Sequence, residues 1–382
     1  MDVVQSPESI ESAPVSRVDQ RARTVNIREF LPDDCSQVTA LAHRYGLGSS
    51  TNDQWMHLWD HNPAYADTSE EWPRGWVVEA SNNEIVGYLG NIPLWYEFEG
   101  RRLLVAASQA WVVDARFRQY SILLLDRCFK QKNVDLYMCT TANQRSSGIL
   151  FLFNSGRVPV GAWDESMFWI TNYTGFLRSW AAMKSPRLGR RFSRGRTVSL
   201  STRQMGTWDG DCVEYHESFD ERFETFWQEL RQQQQGVLLA VRSREVLQWH
   251  FKHALAKNNI WIMTACKGDR LLAYSVFCRQ DNTEYGLQRM RLVDFQALRG
   301  NSGLLLAMAD SALARCRQQR IDMLECVGIR KEFEQMLAPL CPFRRHLPSW
   351  LYYYTAASPA LGARLASPEA WNPSCFDGDA SL

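Results

Sequence analysis

One order of residue types occurs twice in this chain, displaced by about 185 positions, so the chain is read as two copies of one unit and not as a short solenoid. Residues 106–125 (AASQAWVVDARFRQYSILLL) read as a buried strand, a polar loop and the opening of a helix. Residues 290–306 (MRLVDFQALRGNSGLLL) repeat that order, with Val113-Asp114 answering to Val293-Asp294 and Leu123-Leu124-Leu125 to Leu304-Leu305-Leu306. Upstream of each lies a hairpin pattern: WVVEA (76–80), a turn at Asn82-Asn83-Glu84 and IVGY (85–88), against WIMTA (261–265), a turn at Gly268-Asp269 and LLAY (271–274). Downstream of each, a strand follows the helix, at 134–139 and 321–326. A loop that feeds a helix offers unpaired N–H groups and the positive end of the helix dipole, and so suits a phosphate or pyrophosphate.

A length of 382 residues accommodates two domains with ordinary cores. With 43 basic against 42 acidic residues, no global field recruits nucleic acid. Fifteen tryptophans and 45% hydrophobic residues point to large cores and an aromatic-walled cleft. The ten cysteines form no Cys-x-x-Cys pair and no Cys/His cluster at metal spacing, so the expectation is a reduced cytoplasmic chain with no metal. No stretch has the length and apolarity of a membrane span, and the acidic, Ser/Pro-rich start is not a signal peptide.

In chain order, residues 1–23 read as a disordered leader and 24–171 as the first copy. A strand at 25–30 precedes a helix capped by Asp33 or Asp34. The run TNDQWMHLWDHNP (51–63) is helical in pattern, and its Trp55 and Trp59 fall on one face, either in the core or along the wall of a substrate cleft. The hairpin continues through a third strand at 94–98 and a fourth at 103–113. After the strand at 134–139 come Asn143, a short helix near 148–153, a turn at Gly156 and a last strand. Residues 172–211 form a linker that opens with an apolar patch (Phe176, Leu177, Trp180, Met183). From Asn172 to Trp208 it holds eight basic residues and no acidic one. Such a stretch fits anionic lipid or a phosphorylated carrier, and equally a solvated linker with a docking helix. The second copy spans 212–356, and the tail 357–382, through Asp377-Gly378-Asp379, reads as an extended surface segment.

This order of elements resembles the GNAT superfamily of acyl-CoA-dependent N-acyltransferases, over about residues 24–170 and more weakly over about 212–356. The whole is similar to tandem GNAT proteins, some of which accompany bacterial polysaccharide or cell-envelope pathways. RSREVLQWHF (242–251) resembles a basic/Trp signature of their second halves, with His250 where an Arg is common. The resemblance implies an α/β fold of two tandem GNAT-like domains, each a mixed, mostly antiparallel sheet flanked by helices. It also implies acetyl-CoA or another acyl-CoA as cosubstrate and a small-molecule amine or amino-sugar acceptor. In the first copy it places the cofactor at Val112, Val113, Arg118, Gln119, Tyr120, Ser121, Ile122, Leu123 and Asn143.

The family loop runs Arg or Gln, two residues, Gly, one residue, then Gly or Ala, whereas the matching positions here read Arg118-Gln119-Tyr120-Ser121-Ile122-Leu123. The Ser121 hydroxyl can donate to phosphate where glycine would admit it by close approach. Arg299-Gly300-Asn301-Ser302-Gly303 keeps glycines at altered spacing, so the first copy is expected to hold the cofactor and the second to wall the cleft or survive as a relic. The family's general-acid Tyr is absent from both copies: the first has Phe151, Leu152 and Phe153 there, and 333–337 has none either. Amide formation from a thioester needs a neutral amine and a proton for the leaving thiolate. Glu79, a carboxylate in an apolar strand, is the candidate base and Tyr120 the candidate acid; Ser108, Gln109 and Trp59 are the candidate acceptor contacts. The expected activity is acyl transfer, acetyl first among donors, to an amine such as an amino sugar or envelope precursor. Peripheral contact with a membrane or with envelope-synthesis proteins is expected through 176–196. A non-catalytic glycan- or partner-binding protein and a FemABX-like aminoacyltransferase are the alternatives.

Overall fold

The computed structural model describes residues 25–47, 51–68, 72–160, 163–184, 206–208, 211–328, 330–347 and 350–382. The leader, and the linker arginines from Arg187 to Arg203, lie outside the described residues. In the first copy the strands are β1 (Val25–Glu29), β2 (Gly75–Ala80), β3 (Ile85–Phe98), β4 (Arg101–Val113), β5 (Leu136–Ala142) and β6 (Gly156–Arg157). There follow β7 (Glu165–Ile170), β8 (Gly206–Trp208), β9 (Asp211–His216), β10 (Leu239–Ala240), β11 (Ile260–Lys267) and β12 (Arg270–Arg279). The chain ends with β13 (Arg289–Ala297), β14 (Met323–Val327), β15 (Phe343–His346) and β16 (Leu351–Ala356).

Two eight-stranded sheets result. The first runs β1-β2-β3-β4-β5-β16-β6, with β10 added against β3, and the second runs β15-β7-β14-β13-β12-β11-β9-β8. The first corresponds to the first copy and the second to the second, each mixed and mostly antiparallel with one parallel pair, β4 with β5 and β13 with β14. The last strand of each copy is exchanged. β16 inserts between β5 and β6, and β7 inserts between β14 and β15. The boundaries at 171 and 356 therefore follow the chain but not the sheets.

The expected separate strands at 85–88 and 94–98 are one fourteen-residue strand, β3. Pro93 interrupts nothing because the β2 partner stops at Gly90, leaving that edge of β3 without need of an N–H until β10 pairs at Tyr96 and Glu97. The repeat is also shifted at one point. Val113 stands opposite Gly87 and Ala297 opposite Ala273, so Val113 answers to Ala297, and Asp114 is not the counterpart of Asp294. Asp114 caps the loop after β4, whereas Asp294 lies inside β13.

The tail does not lie on the surface. Trp371, Cys375, Phe376 and Asp377 are buried, and the tail runs from the second sheet, where the Cys375 thiol meets Val327 O, to the first, where Asp379 accepts from Thr140 Oγ1 at 2.7 Å. Its acidic letters mislead because their carboxylates are met by donors: Tyr96 Oη (3.1 Å) and the Ser374 N–H (2.7 Å) both reach Asp377. One apolar cluster joins both sheets and the tail, from Tyr96, Val105 and Met138, through Phe223 and Trp227 of the helix Glu221–Gln233, to Tyr274, Val276 and Trp371. A shared core and exchanged strands leave neither copy able to unfold alone. Urea unfolding followed by tryptophan fluorescence and by far-UV circular dichroism should show one coincident transition; two separated transitions would contradict the exchange.

Candidate active site

Both copies carry a V-shaped opening where two parallel strands diverge. β4 pairs with β5 only over Val105–Ala107 and then continues to Val113, and β13 pairs with β14 only over Arg289–Leu292 and continues to Ala297. The register of each long strand also slips beside its antiparallel neighbour, at Tyr88/Gly90 and at Val276/Phe277. The two openings differ in what their loops offer.

In the first copy the loop coils into a 3-10 helix, Ala115–Tyr120, and its amides are spent internally. The Ala115 N–H donates to Tyr45 Oη, that of Arg116 to Asp114 Oδ1, that of Phe117 to Asp114 O and that of Ser121 to Arg118 O. The Asp114 carboxylate, held below its usual range by hydrogen bonds from Arg116, sits where a pyrophosphate would need positive charge. Ser121 opens the helix Ser121–Phe129, Ile122 and Leu123 are exposed beside it, and Val112 is buried in the sheet. Asn143 turns its side chain on its own helix, Oδ1 accepting from the Arg145 and Ser146 N–H groups at 2.9 and 3.0 Å.

The other first-copy candidates are similarly committed. Glu79 receives Arg28 Nε and Nη2 at 3.1 and 3.0 Å while the same guanidinium chelates Asp34, and these hydrogen bonds hold the Glu79 carboxyl below its usual range. A lowered, ion-paired carboxylate is a poor acceptor of an amine proton. Trp59 is fully buried, its indole donating to Asn91 O at 2.9 Å, so it is core and not a cleft wall. Tyr120 packs beside Phe117, and Ser108 is buried on the sheet opposite Asn91. Gln109 Oε1 and the Tyr88 hydroxyl are buried without a partner among the described residues, both within 3 Å of where a Cβ on Gly90 would stand (2.8 and 2.7 Å).

In the second copy the loop stays open. Among the described residues the N–H groups of Gly300, Ser302 and Gly303 find no intramolecular acceptor, while those on either side, of Arg299 and Asn301, bond Gln233 Oε1 and Leu298 O. Gly300 takes a φ of +85°, which a side chain would strain, and Gly303 opens the fifteen-residue helix Leu304–Gln318 without a side-chain cap. Gly300 and Ser302 line a cavity of about 540 Å³ together with Arg299, Arg330, Phe295 and Phe333, among others. The size suits a cofactor-scale ligand. Phe295 and Phe333 meet edge to face at 5.5 Å, and Phe333 begins the run where the family's Tyr is missing.

Behind this opening the Arg242–Asp294 pair is fully buried. Burial alone would push the Asp294 carboxyl up, but the Arg242 charge and hydrogen bonds from Arg242, Gln296 and Tyr274 hold it below its usual range. Ser374 of the tail adds a bond at 2.9 Å, so β13, the 239–244 segment and the tail meet on one carboxylate. Arg242 and Asp294 were not among the sequence candidates; Asp294 had been matched to the wrong residue of the first copy. His250 is structural: burial lowers it to about 3, its Nε2 meets Ser381 Oγ, and its ring stacks on Phe376. No group of three or more His, Cys, Asp or Glu side chains among the described residues is arranged to hold a metal.

A sheet that diverges at a parallel pair, with a loop and helix N-terminus at the opening, is the architecture of the GNAT-type N-acyltransferases, and it occurs here twice. Residues 191–329, which take in most of the second copy, match the family model of the acetyltransferase (GNAT) domain. No curated protein sequence matches the chain. Among solved structures, a GCN5-related N-acetyltransferase from Anabaena variabilis superposes with a TM-score of 0.51 at 12% identity, over 88% of this chain and 73% of that one. N-myristoyltransferase of Saccharomyces cerevisiae, with bound myristoyl-CoA, superposes with a TM-score of 0.55 at 10% identity, over 89% of this chain and 80% of that one. At these identities the likeness is one of fold.

Asp377 yields a pH signature for the buried tail. Burial pushes its carboxyl from an ordinary 3.8 up to about 6, against the lowering pull of Arg242. The folded state thus holds this proton more tightly than the unfolded state. The stabilisation is complete below about pH 4 and is lost as pH rises through about 6. Relative to the native chain, Asp377→Asn should gain on the order of 2–3 kcal/mol in unfolding free energy between about pH 4 and 7, whatever its offset at pH 4. Denaturant titrations at both pH values measure the gain, and a pH-independent difference would contradict the burial.

Proposed function

We propose that the chain transfers an acyl group from an acyl-CoA bound in the second copy to the amine of a small acceptor. The observation that carries this reading is the pair of unpaired amides on Gly300 and Ser302, two residues that line the cavity, with that of Gly303 next to them at the head of a fifteen-residue helix. They would hold the pyrophosphate with Arg299 and Arg330 beside it, while Phe295, Phe333, Val237 and Leu298 supply an apolar wall for the pantetheine arm. The neutral amine attacks the thioester carbonyl, the N–C bond forms as the C–S bond breaks, and CoA leaves as the thiol with the proton that the amine gives up. Acetyl-CoA is the first donor to test, and amino sugars and other envelope precursors are the first acceptors. This reading prefers the second copy to the expected first because the amides of Ala115, Arg116, Phe117 and Ser121 in the first loop already have acceptors.

A non-catalytic binding protein is the second reading, favoured by Phe333 in the run where a proton-donating Tyr would serve. The proposed peripheral contact with a membrane or with envelope-synthesis proteins through 176–196 rests, among the described residues, on the helix Tyr173–Lys184. No helix of the described residues is long and apolar enough to cross a membrane.

Calorimetric titration with acetyl-CoA, followed by longer acyl-CoAs, tests the cofactor site. Ser302→Glu places a negative charge among the free amides and should weaken binding by about tenfold or more, whereas Ser121→Glu should leave it unchanged. Loss on Ser121→Glu alone would return the site to the first copy. No binding of any acyl-CoA would sink the enzyme reading, and binding without turnover across amine acceptors would favour the second reading.

A further inference from the structure

The helix Tyr173–Lys184 leaves the second sheet with an apolar face that nothing in the described chain covers. Tyr173, Leu177 and Trp180 are 61%, 58% and 51% exposed, and Met183 continues them at 44%. Their spacing of four, three and three residues puts them on one stripe, while Ser179 and Ala182 form the buried side. Phe176 carries the surface onto the sheet by stacking on Phe168 of β7, and Phe168 stacks in turn on Phe343 of the edge strand β15, itself 50% exposed. The result is a band of aromatic and long aliphatic side chains much larger than a scatter of single exposed residues.

The charge around this band has one predominant sign. Lys184 falls within the stripe, and β15 contributes Arg344, half exposed, and Arg345, whose guanidinium lies over the Phe168 ring at 5.5 Å. In sequence, the segment after this helix, which lies outside the described residues, holds Arg187, Arg190, Arg191, Arg194, Arg196 and Arg203 with no acidic residue before Asp209. Glu334 pairs with Arg344, and the buried Glu325, shared with Arg289 and Arg291, pairs with Arg345, so both offset part of this excess. Aromatic and aliphatic side chains beside lysine and arginine are what an interfacial helix presents to a bilayer of anionic lipid: the apolar side chains enter the headgroup boundary and the cations meet the phosphates.

We infer that the helix Tyr173–Lys184, with Phe168 and Phe343, is a docking surface for an anionic lipid bilayer. This deepens the peripheral contact proposed above and does not depend on the acyl-CoA site. That site lies in the opening between β13 and β14, whereas the docking band lies on β7 and β15, on the other side of β14. The docked protein therefore meets acceptors that are themselves lipid-linked or held at the headgroup layer.

The test is sedimentation of the full chain with phosphatidylcholine vesicles and with mixed phosphatidylcholine/phosphatidylglycerol vesicles, alongside a Leu177→Glu/Trp180→Glu variant. Both replaced side chains are exposed, so circular dichroism and thermal melting of the variant should match the native chain. The expected result is binding to the anionic vesicles, weakened about tenfold or more both by the double substitution and by high salt. Acetyl-CoA titration of the same preparations should be unchanged by the double substitution, which separates failure of the docking surface from failure of the cofactor site. Absence of binding to anionic vesicles, equal binding to neutral ones, or retention by the variant would each overturn the inference. So would a lipid-free dimer that the variant converts to monomer, since a second copy of the chain would then be the occupant.

Discussion

The exchange of β7 and β16 is the constraint on which the rest of this structure depends. Each sheet is completed by a strand from the other end of the repeat, so each V-shaped opening has one wall that ends next to a borrowed strand. The exchange brings the tail with it: after β16 the chain is already within the first sheet, and it returns through the shared core to bond Asp294, Asp377's partners and Thr140. The Arg242–Asp294 pair then acts as a rivet. Burying it without partners would cost several kcal/mol, and the donors from β12, β13 and the tail make it tolerable.

Duplication followed by divergence accounts for the unequal loops. The same strand-to-helix turn has become a closed 3-10 coil with an acidic cap in one copy and an open glycine-bearing loop in the other. Closure commits the amides of Ala115, Arg116, Phe117 and Ser121 within the chain, and openness leaves three amides without an intramolecular acceptor among the described residues. The family match over 191–329 falls on the copy with the open loop, in keeping with that division.

Much of the fold was legible in the sequence because it is written in hydrophobic period: the two copies, their hairpins and the strand-loop-helix units all follow from spacing. Strand exchange was not legible. β7 (ESMFWI) and β16 (LYYYTA) are both apolar strands, and no pattern within either states which sheet it joins. Asp114 and Asp294 share a Val-Asp dipeptide, yet Asp114 follows the end of β4 whereas Asp294 lies inside β13, which runs on to Ala297. The site was legible only in outline. Residue identity pointed to the loop with Arg118 and Ser121, but what a phosphate requires is unspent amides, and their availability depends on whether the backbone coils. The glycines at 300 and 303 were the available signal, outweighed by their altered spacing. Trp59 and Asn143 were chemically suitable, and burial and self-capping used them up.

Hydrogen–deuterium exchange of the native chain, with and without saturating acetyl-CoA, tests the central claim most directly. The account predicts slowed exchange at 299–306 and 330–337, with the loop and helix at 114–129 and the Asn143 helix unaffected. Protection confined to the first copy would contradict it and place the cofactor where the sequence first pointed.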